Sequence, residues 1–399
     1  MKFIFYSNVA FEEWDWRNSV EKGIGGSETS HVEMSWRLAA RGHEVITYAP
    51  IPSDCPGKWR DTIWKRCEEV DWSQKGIWIL YRCPEAIDNF PVERDEQTLW
   101  FMMQDWDYLS WNEERKAKLD LVITLCQAHG RDVIGKHPDL KDKLWLSSNG
   151  VKVDLIKKIE GEYLKNGGFP KRNPHKIIYA SSPDRGLKHV VKSFSRAREY
   201  IPTLELHAFY GFDNLDKIDA PWAKKTAKET RKLLESPGVV WHGRATQEDL
   251  YKEWLSAGLW VYQTNFSETS CITCMEAQAL GAIPIYNPIY ALRENVRSGI
   301  PVEGDAYGDP LTQARFSAEI VRLATYPDLQ EEIRIPMMRE ARKRFDWENF
   351  VTQWENKAAG KYYPLDFPVQ LPGVQQEIED ELKEDEELYQ PEEGQQISI

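Results

Sequence analysis

The chain has 399 residues, 41% of them hydrophobic and 12% aromatic, with a formal net charge of −13. That length suggests two domains of ordinary size, each with its own core. The acidic balance disfavours a nucleic-acid surface, although part of the excess sits in the Glu- and Asp-rich segment from Gln375 to Ile399, where Lys383 is the one cation.

The first apolar run, Phe3-Ile4-Phe5-Tyr6, turns polar at Ser7, too short for a signal peptide. No stretch has the length needed to span a bilayer, so the sequence reads as a cytoplasmic protein with no transmembrane segment. Six cysteines in so long a chain do not form a secreted disulfide framework.

Taken in order, Phe3–Tyr6 predicts the first strand. A polar loop then leads to Gly25-Gly26-Ser27, where Ser27 is expected to cap a helix whose inward face is Val32, Trp36, Ala39 and Ala40. Glu44–Ala49 is the next strand, which gives the strand–loop–helix–strand order of a nucleotide-binding half. The G-x-G-x-x-G fingerprint of a dinucleotide site is not met. Gly25 and Gly26 do permit close backbone approach to a ligand. Further strands are expected at Ile77–Tyr81, Leu99–Met103 and Leu121–Leu125, with Gln104-Asp105-Trp106 in the loop after the second of these. Asp105 there can accept a proton, bind a hydroxyl or simply cap a helix. Trp14, Trp16, Trp106 and Trp111 lie in two loops on the same side, where their rings suit either sugar faces or packing.

Lys165 to Asn173 reads as an interdomain linker, and the expected domains are 1–168 and 169–345, followed by a helix in 346–365 and an acidic, poorly packed tail at 366–399. A second nucleotide-binding half opens with Lys176–Ala180 and the loop Ser181-Ser182-Pro183-Asp184-Arg185-Gly186-Leu187-Lys188. Arg185 and Lys188, beside a helix start, suit a diphosphate. Leu204–Tyr210 and Val239–Arg244 continue the strands, with helices at Ala223–Leu234 and Gln247–Ala257 between and after them.

The most informative stretch follows the buried strand Leu259–Tyr262. Glu268, Thr269 and Ser270 occupy a strand-to-helix loop, and Ile272, Met275, Ala279 and Leu280 fall at helical spacing before a Gly281-x-x-Pro284 stop. Glu268 and Glu276 are separated by seven residues, one in the loop and one in the helix. A helix start at the C-terminal end of a parallel strand attracts an anion, while two acids beside that anion suit sugar hydroxyls. Cys271-x-x-Cys274 lacks the second pair that zinc would want, and both thiols are expected to pack.

Phe266-Ser267-Glu268-Thr269-Ser270 through Glu276-Ala277-Gln278-Ala279-Leu280-Gly281 resembles the E-x7-E motif of the retaining glycosyltransferases of family 4. The resemblance implies an α/β chain of GT-B fold, with two Rossmann-like domains facing a central cleft and the C-terminal helix crossing back onto the first. It implies Glu268 at the donor sugar, Glu276 at the ribose, and Gly25 and Gly26 facing donor phosphate or acceptor. Arg185, Lys188, Thr269 and Ser270 complete the implied donor site. Many relatives carry a His where this chain has Gln104 or Asp105. The implied reaction moves a hexose from a UDP- or GDP-sugar to the hydroxyl of an unidentified acceptor, whether glycan, lipid, protein or modified nucleic acid. It retains configuration by same-face attack and requires no metal or further cofactor. Two rivals remain open at this point: a nucleotide-sugar epimerase, which consumes no acceptor, and a non-catalytic sugar-nucleotide-binding protein.

Overall fold

The computed structural model describes residues 1–9 and 12–361. The expected tail at 366–399, and the last residues of the expected crossing segment, lie outside the described residues.

The first lobe contains β1 (Lys2–Tyr6), α1 (Trp16–Glu21), α2 (Gly26–Ala40), β2 (Glu44–Ala49), β3 (Lys58–Trp59), β4 (Thr62–Arg66), β5 (Gly76–Tyr81), β6 (Gln97–Met102), α3 (Glu113–Lys118), β7 (Leu121–Thr124), α4 (Gln127–Lys136) and β8 (Leu144–Leu146). Its eight strands are ordered β3-β4-β2-β1-β5-β6-β7-β8, all pairs parallel except β3 with β4. The central strands are apolar runs because both faces are covered. Ile4, Trp78, Leu80 and Phe101 pack on one face, and Phe3, Phe5, Ile79 and Met102 on the other.

The second lobe contains α5 (Val153–Lys165), β9 (Asn173–Tyr179), α6 (Leu187–Tyr200), β10 (Glu205–Phe209), α7 (Asp213–Asp216), α8 (Pro221–Leu233), β11 (Val239–Gly243), α9 (Gln247–Ser256), β12 (Ala257–Tyr262), α10 (Ile272–Leu280), β13 (Ile283–Tyr286), α11 (Ala291–Asn295), β14 (Ile300–Pro301), α12 (Pro310–Thr325) and α13 (Pro327–Arg344). Its six strands run β11-β10-β9-β12-β13-β14, all parallel. Strand order reverses beside β9, the position at which such sheets open a crevice.

The chain crosses between lobes earlier than the expected linker at 165–173. Ile156 and Ile159 of α5 are fully buried in the second core, so α5 belongs there and the crossing lies at 150–152. The return crossing lies beside it: Val151 N donates to the Phe345 carbonyl at 2.6 Å, and Val151 bridges Asp346 in parallel. α14 (Trp347–Ala358) then packs Trp347, Phe350, Val351 and Trp354 against Phe3, Phe5 and Leu38 of the first lobe. Helix α2 begins one residue before the expected cap, with Gly25 in the cap position and no side-chain cap bond. It is buried on two sides, Met34, Leu38 and Ala39 against the sheet and Val32 against Trp14 and Trp64, while Trp36 is half-buried beside Trp59 and Ala40 is exposed.

Candidate functional site

Between the lobes lies a cleft enclosing a cavity of about 430 Å³. Its walls are the segments that follow β1, β5, β6 and β8 of the first sheet and β9, β10, β11 and β12 of the second. Both sheets therefore present their C-terminal strand ends to one space, where α/β sheets hold ligands.

The loop after β12 supplies the centre of the second wall. Glu268 is half-buried and accepts a 2.6 Å hydrogen bond from the Tyr262 hydroxyl. Burial raises its carboxyl pKa above the ordinary range, and the Arg185 guanidinium and the Tyr262 hydroxyl oppose that rise. Arg185 lies with its guanidinium carbon 3.2 Å from the centroid of the Phe266 ring, a cation–π contact that fixes the cation beside the same loop. Gly186 makes this approach possible: its φ is +108°, and a Cβ there would sit 2.1 Å from the Gln263 carbonyl oxygen.

Helix α10 starts at Ile272, two residues beyond Ser270, because Cys271 takes φ +60° and turns the chain into it. Among the described residues, its cap position Cys271 supplies no side-chain cap bond. In contrast, Thr246, Asp309 and Asp346 cap α9, α12 and α14. Cys271, Ile272 and Thr273 line the cavity, so uncapped N–H groups and the positive dipole end belong to its wall. The start of α2, at Gly25 and Gly26, lies across from it, since a Cβ on Gly26 would be 3.6 Å from Ile272 Cδ1, and there the Glu28 carboxylate of the first turn folds back onto its own backbone N–H. Two helix starts thus face one another over the space, and the start of α10 is the one suited to an anion.

Glu276, one turn into α10, is 6% exposed and accepts from Gln247 Nε2 at 2.7 Å and the Tyr251 hydroxyl at 3.1 Å. Its pKa is pushed up to about 7 by burial, with Tyr251, Lys152 and Gln247 pulling the other way. Thr269 and Ser270 are buried beside it in the wall, and Thr269 Oγ1 donates to the Gln104 carbonyl across the cleft at 3.1 Å. The Ser270 Oγ is buried without a hydrogen-bond partner among the described residues.

On the first wall, Asp105 accepts from its neighbour Trp106 N and lies 3.6 Å from Arg82 Nη2. Lys188 does not join the group. Its Nζ pairs with Glu229 of α8 at 3.3 Å, and it is not among the residues that line the cavity. The tryptophans divide: Trp106 faces Phe266 across the cleft and Trp14, packed in a cluster, also lines the cavity, whereas Trp111 is 5% exposed in a packed cluster and Trp16 stacks on Trp59. Cys274 is buried in the second core.

The sequence alone gives three contributors no role. Tyr251 holds Glu276 from another helix and Tyr262 holds Glu268 from the end of the preceding strand, and no sequence pattern marks either role. Arg244 lines the cleft, bonded to Glu12 at 2.7 Å across the lobes and 3.2 Å from Asp213. Its position directly after the Val239–Gly243 strand was the available signal. Among the described residues, no cluster of three or more His, Cys, Asp or Glu side chains is arranged to hold a metal, and no helix is long and apolar enough to cross a membrane.

No family model and no curated protein sequence matches this chain. Solved structures do. A sucrose-phosphate synthase from Thermosynechococcus elongatus superposes with a TM-score of 0.65 at 14% identity, over 90% of this chain and 98% of that one. A glycosyltransferase from Rickettsia africae gives 0.67 at 11% identity, over 90% and 98%. HepE of Anabaena, solved in complex with UDP and glucose, gives 0.64 at 12% identity, over 90% and 100%. These likenesses establish the fold as GT-B: two parallel-rich α/β lobes with a cleft between them.

Proposed function

We propose that this protein is a retaining glycosyltransferase that moves a hexose from a nucleoside-diphosphate sugar to an acceptor hydroxyl. The observation that carries the reading is the joint placement of Glu268, Glu276 and Arg185 around the uncapped start of α10 on one cleft wall. HepE, a structural neighbour, is described with UDP and glucose, which agrees with a UDP-sugar as the first donor to try.

In this reading the diphosphate sits on the start of α10, where backbone N–H groups and Arg185 offset its charge as the leaving group departs. Glu276 accepts from ribose hydroxyls, and Glu268 accepts from sugar hydroxyls and sets the orientation of the ring. Thr269 and Ser270 complete the donor wall, and Gly25 and Gly26 bring the start of α2 close to the phosphates. The anomeric carbon–phosphate oxygen bond breaks and the anomeric carbon–acceptor oxygen bond forms on the same face. The acceptor proton passes to the departing phosphate oxygen, so the step needs neither a protein base nor a metal. Asp105 and Trp106 lie on the acceptor side and orient the incoming hydroxyl.

Thermal shift with UDP-, GDP- and ADP-sugars identifies the donor, because a ligand that binds the folded state raises its melting temperature by mass action. Donor consumption is then measured for wild type and Glu268→Gln. Turnover in the variant should fall roughly tenfold or more with donor affinity nearly kept. A panel with no stabilising nucleotide sugar, or a variant with wild-type turnover, refutes the assignment.

A further inference from the structure

The short helix α11 touches both lobes at once. On the second lobe, its Ala291 N donates to the Glu268 carbonyl at 3.1 Å, and Asn295 Nδ2 donates to the Ser270 carbonyl at 2.5 Å. Asn295 also accepts from Gln278 Nε2 of α10 at 3.1 Å through its own carbonyl. The peptide geometry of the Glu268 loop and the start of α10 is therefore held by the two ends of α11.

The same helix reaches the first lobe through Glu294. Its two carboxylate oxygens accept from Gln127 N at 2.8 Å and Ala128 N at 2.9 Å, the first two amides of α4. These are orphan donors of a helix start, and a carboxylate there gains both hydrogen bonds and the favourable dipole end. Cys126, just before α4, caps the His129 amide through its Sγ at 3.4 Å, whereas the first two amides are taken from 167 and 166 positions away in sequence, from the other lobe. Tyr290, directly before α11 and at φ +50°, adds a hydroxyl bond to Asp132 of α4. Among the described residues, the lobes are joined covalently only where the two crossings lie side by side, at Val151 and at Phe345–Trp347. A rotation about that paired crossing would part α11 from α4 while leaving each lobe intact.

We propose that Glu294 is a positioning residue that couples the approach of the lobes to the placement of the Glu268 loop. When the lobes meet, the α4 amides take the Glu294 carboxylate and α11 is fixed; through Ala291 and Asn295 it sets the carbonyls of Glu268 and Ser270. The inference rests on the donor site proposed above and concerns how that site is completed. Glu294 itself need not touch the donor.

The test uses the full chain with three variants. Glu294→Ala removes the cap. Glu294→Gln keeps one oxygen acceptor. Gln127→Pro deletes one of the capped N–H groups from the other side, at the first helical position, where proline is tolerated, and after Cys126, whose extended backbone (φ −152°, ψ 160°) suits a residue before proline. Each is measured for radius of gyration by small-angle scattering, for affinity towards UDP, GDP and ADP, and for kcat and KM of donor consumption. Glu294→Ala should enlarge the radius of gyration and lower kcat roughly tenfold or more, with nucleoside-diphosphate affinity changed less than about threefold. Glu294→Gln and Gln127→Pro should fall between it and wild type. A wild-type radius and kcat in Glu294→Ala, or a Gln127→Pro variant indistinguishable from wild type, overturns the proposal. If the wild-type chain consumes no nucleotide sugar at all, the glycosyltransferase reading fails, while the scattering comparison still decides whether Glu294 holds the lobes together.

Discussion

Glu276→Gln offers the sharpest test, because the structure makes stability and function move in opposite directions. The side chain is 6% exposed and its carboxyl is held at about 7 against an ordinary 4.5. Below pH 4.5 the group is protonated in both folded and unfolded chains. Between 4.5 and about 7 the folded chain binds more protons, so stability falls as pH rises, and above about 7 the loss is complete. At about 1.4 kcal/mol per pH unit, the full loss is roughly 3 kcal/mol. Glutamine keeps an oxygen for the Tyr251 hydroxyl and carries no charge, and Lys152 stays paired with Glu33 at 3.0 Å. The variant should therefore be more stable than wild type at pH 8 by up to roughly 3 kcal/mol, with the advantage shrinking towards pH 5. Urea unfolding at the two pH values reads this as the difference between matched transitions, since a two-lobed chain can unfold in more than one step. Donor binding should move the other way. Losing a charged acceptor for ribose hydroxyls removes roughly 1.5 to 3 kcal/mol, or about 10- to 100-fold in affinity by calorimetry at pH 8. A variant whose stability parallels wild type across this pH range refutes the buried, ionisable placement. One that binds the donor as wild type does refutes the ribose assignment.

Arg185→Ala should weaken UDP, GDP or ADP binding about 10- to 100-fold by calorimetry while leaving the corresponding nucleoside without phosphates unaffected; equal losses for both would remove the guanidinium from the diphosphate. Gly186→Ala must place a side chain at φ +108° and against the Gln263 carbonyl. It should cost roughly 1 to 3 kcal/mol or more in urea unfolding, and a neutral result would contradict the close approach of the two loops. Lys188→Ala breaks only a partly exposed pair with Glu229, so stability should change by less than about 1 kcal/mol and nucleoside-diphosphate affinity by less than about twofold; a large affinity loss would return Lys188 to the site.

Much of the fold was legible because its signals are local. Apolar runs such as Phe3–Tyr6 and Leu259–Tyr262 mark strands covered on both faces, and the helical spacing from Ile272 to Leu280 places Glu276 on a helix directly after the Glu268 loop. The Arg185 loop was readable for the same reason: a strand, a turn and a cation before a helix are neighbours in sequence. The boundary between lobes was not. The polar, Gly-bearing segment 165–173 that resembles a linker follows α5, and only the burial of Ile156 and Ile159 assigns α5 to the second core. Trp111 and Trp106 were indistinguishable as letters in a loop, and packing alone sent one into a core and the other into the cleft.

By itself, then, the sequence determined the order of strands and helices and the chemical types that gather at the strand ends, since both depend on residues close along the chain. The tertiary structure decided which of those groups share a space. Lys188 lies three residues from Arg185 yet pairs outward with Glu229, while Glu294 caps a helix of the opposite lobe. Such choices are made by side chains meeting across elements distant in sequence, where the free energy of burial and hydrogen bonding has no local trace.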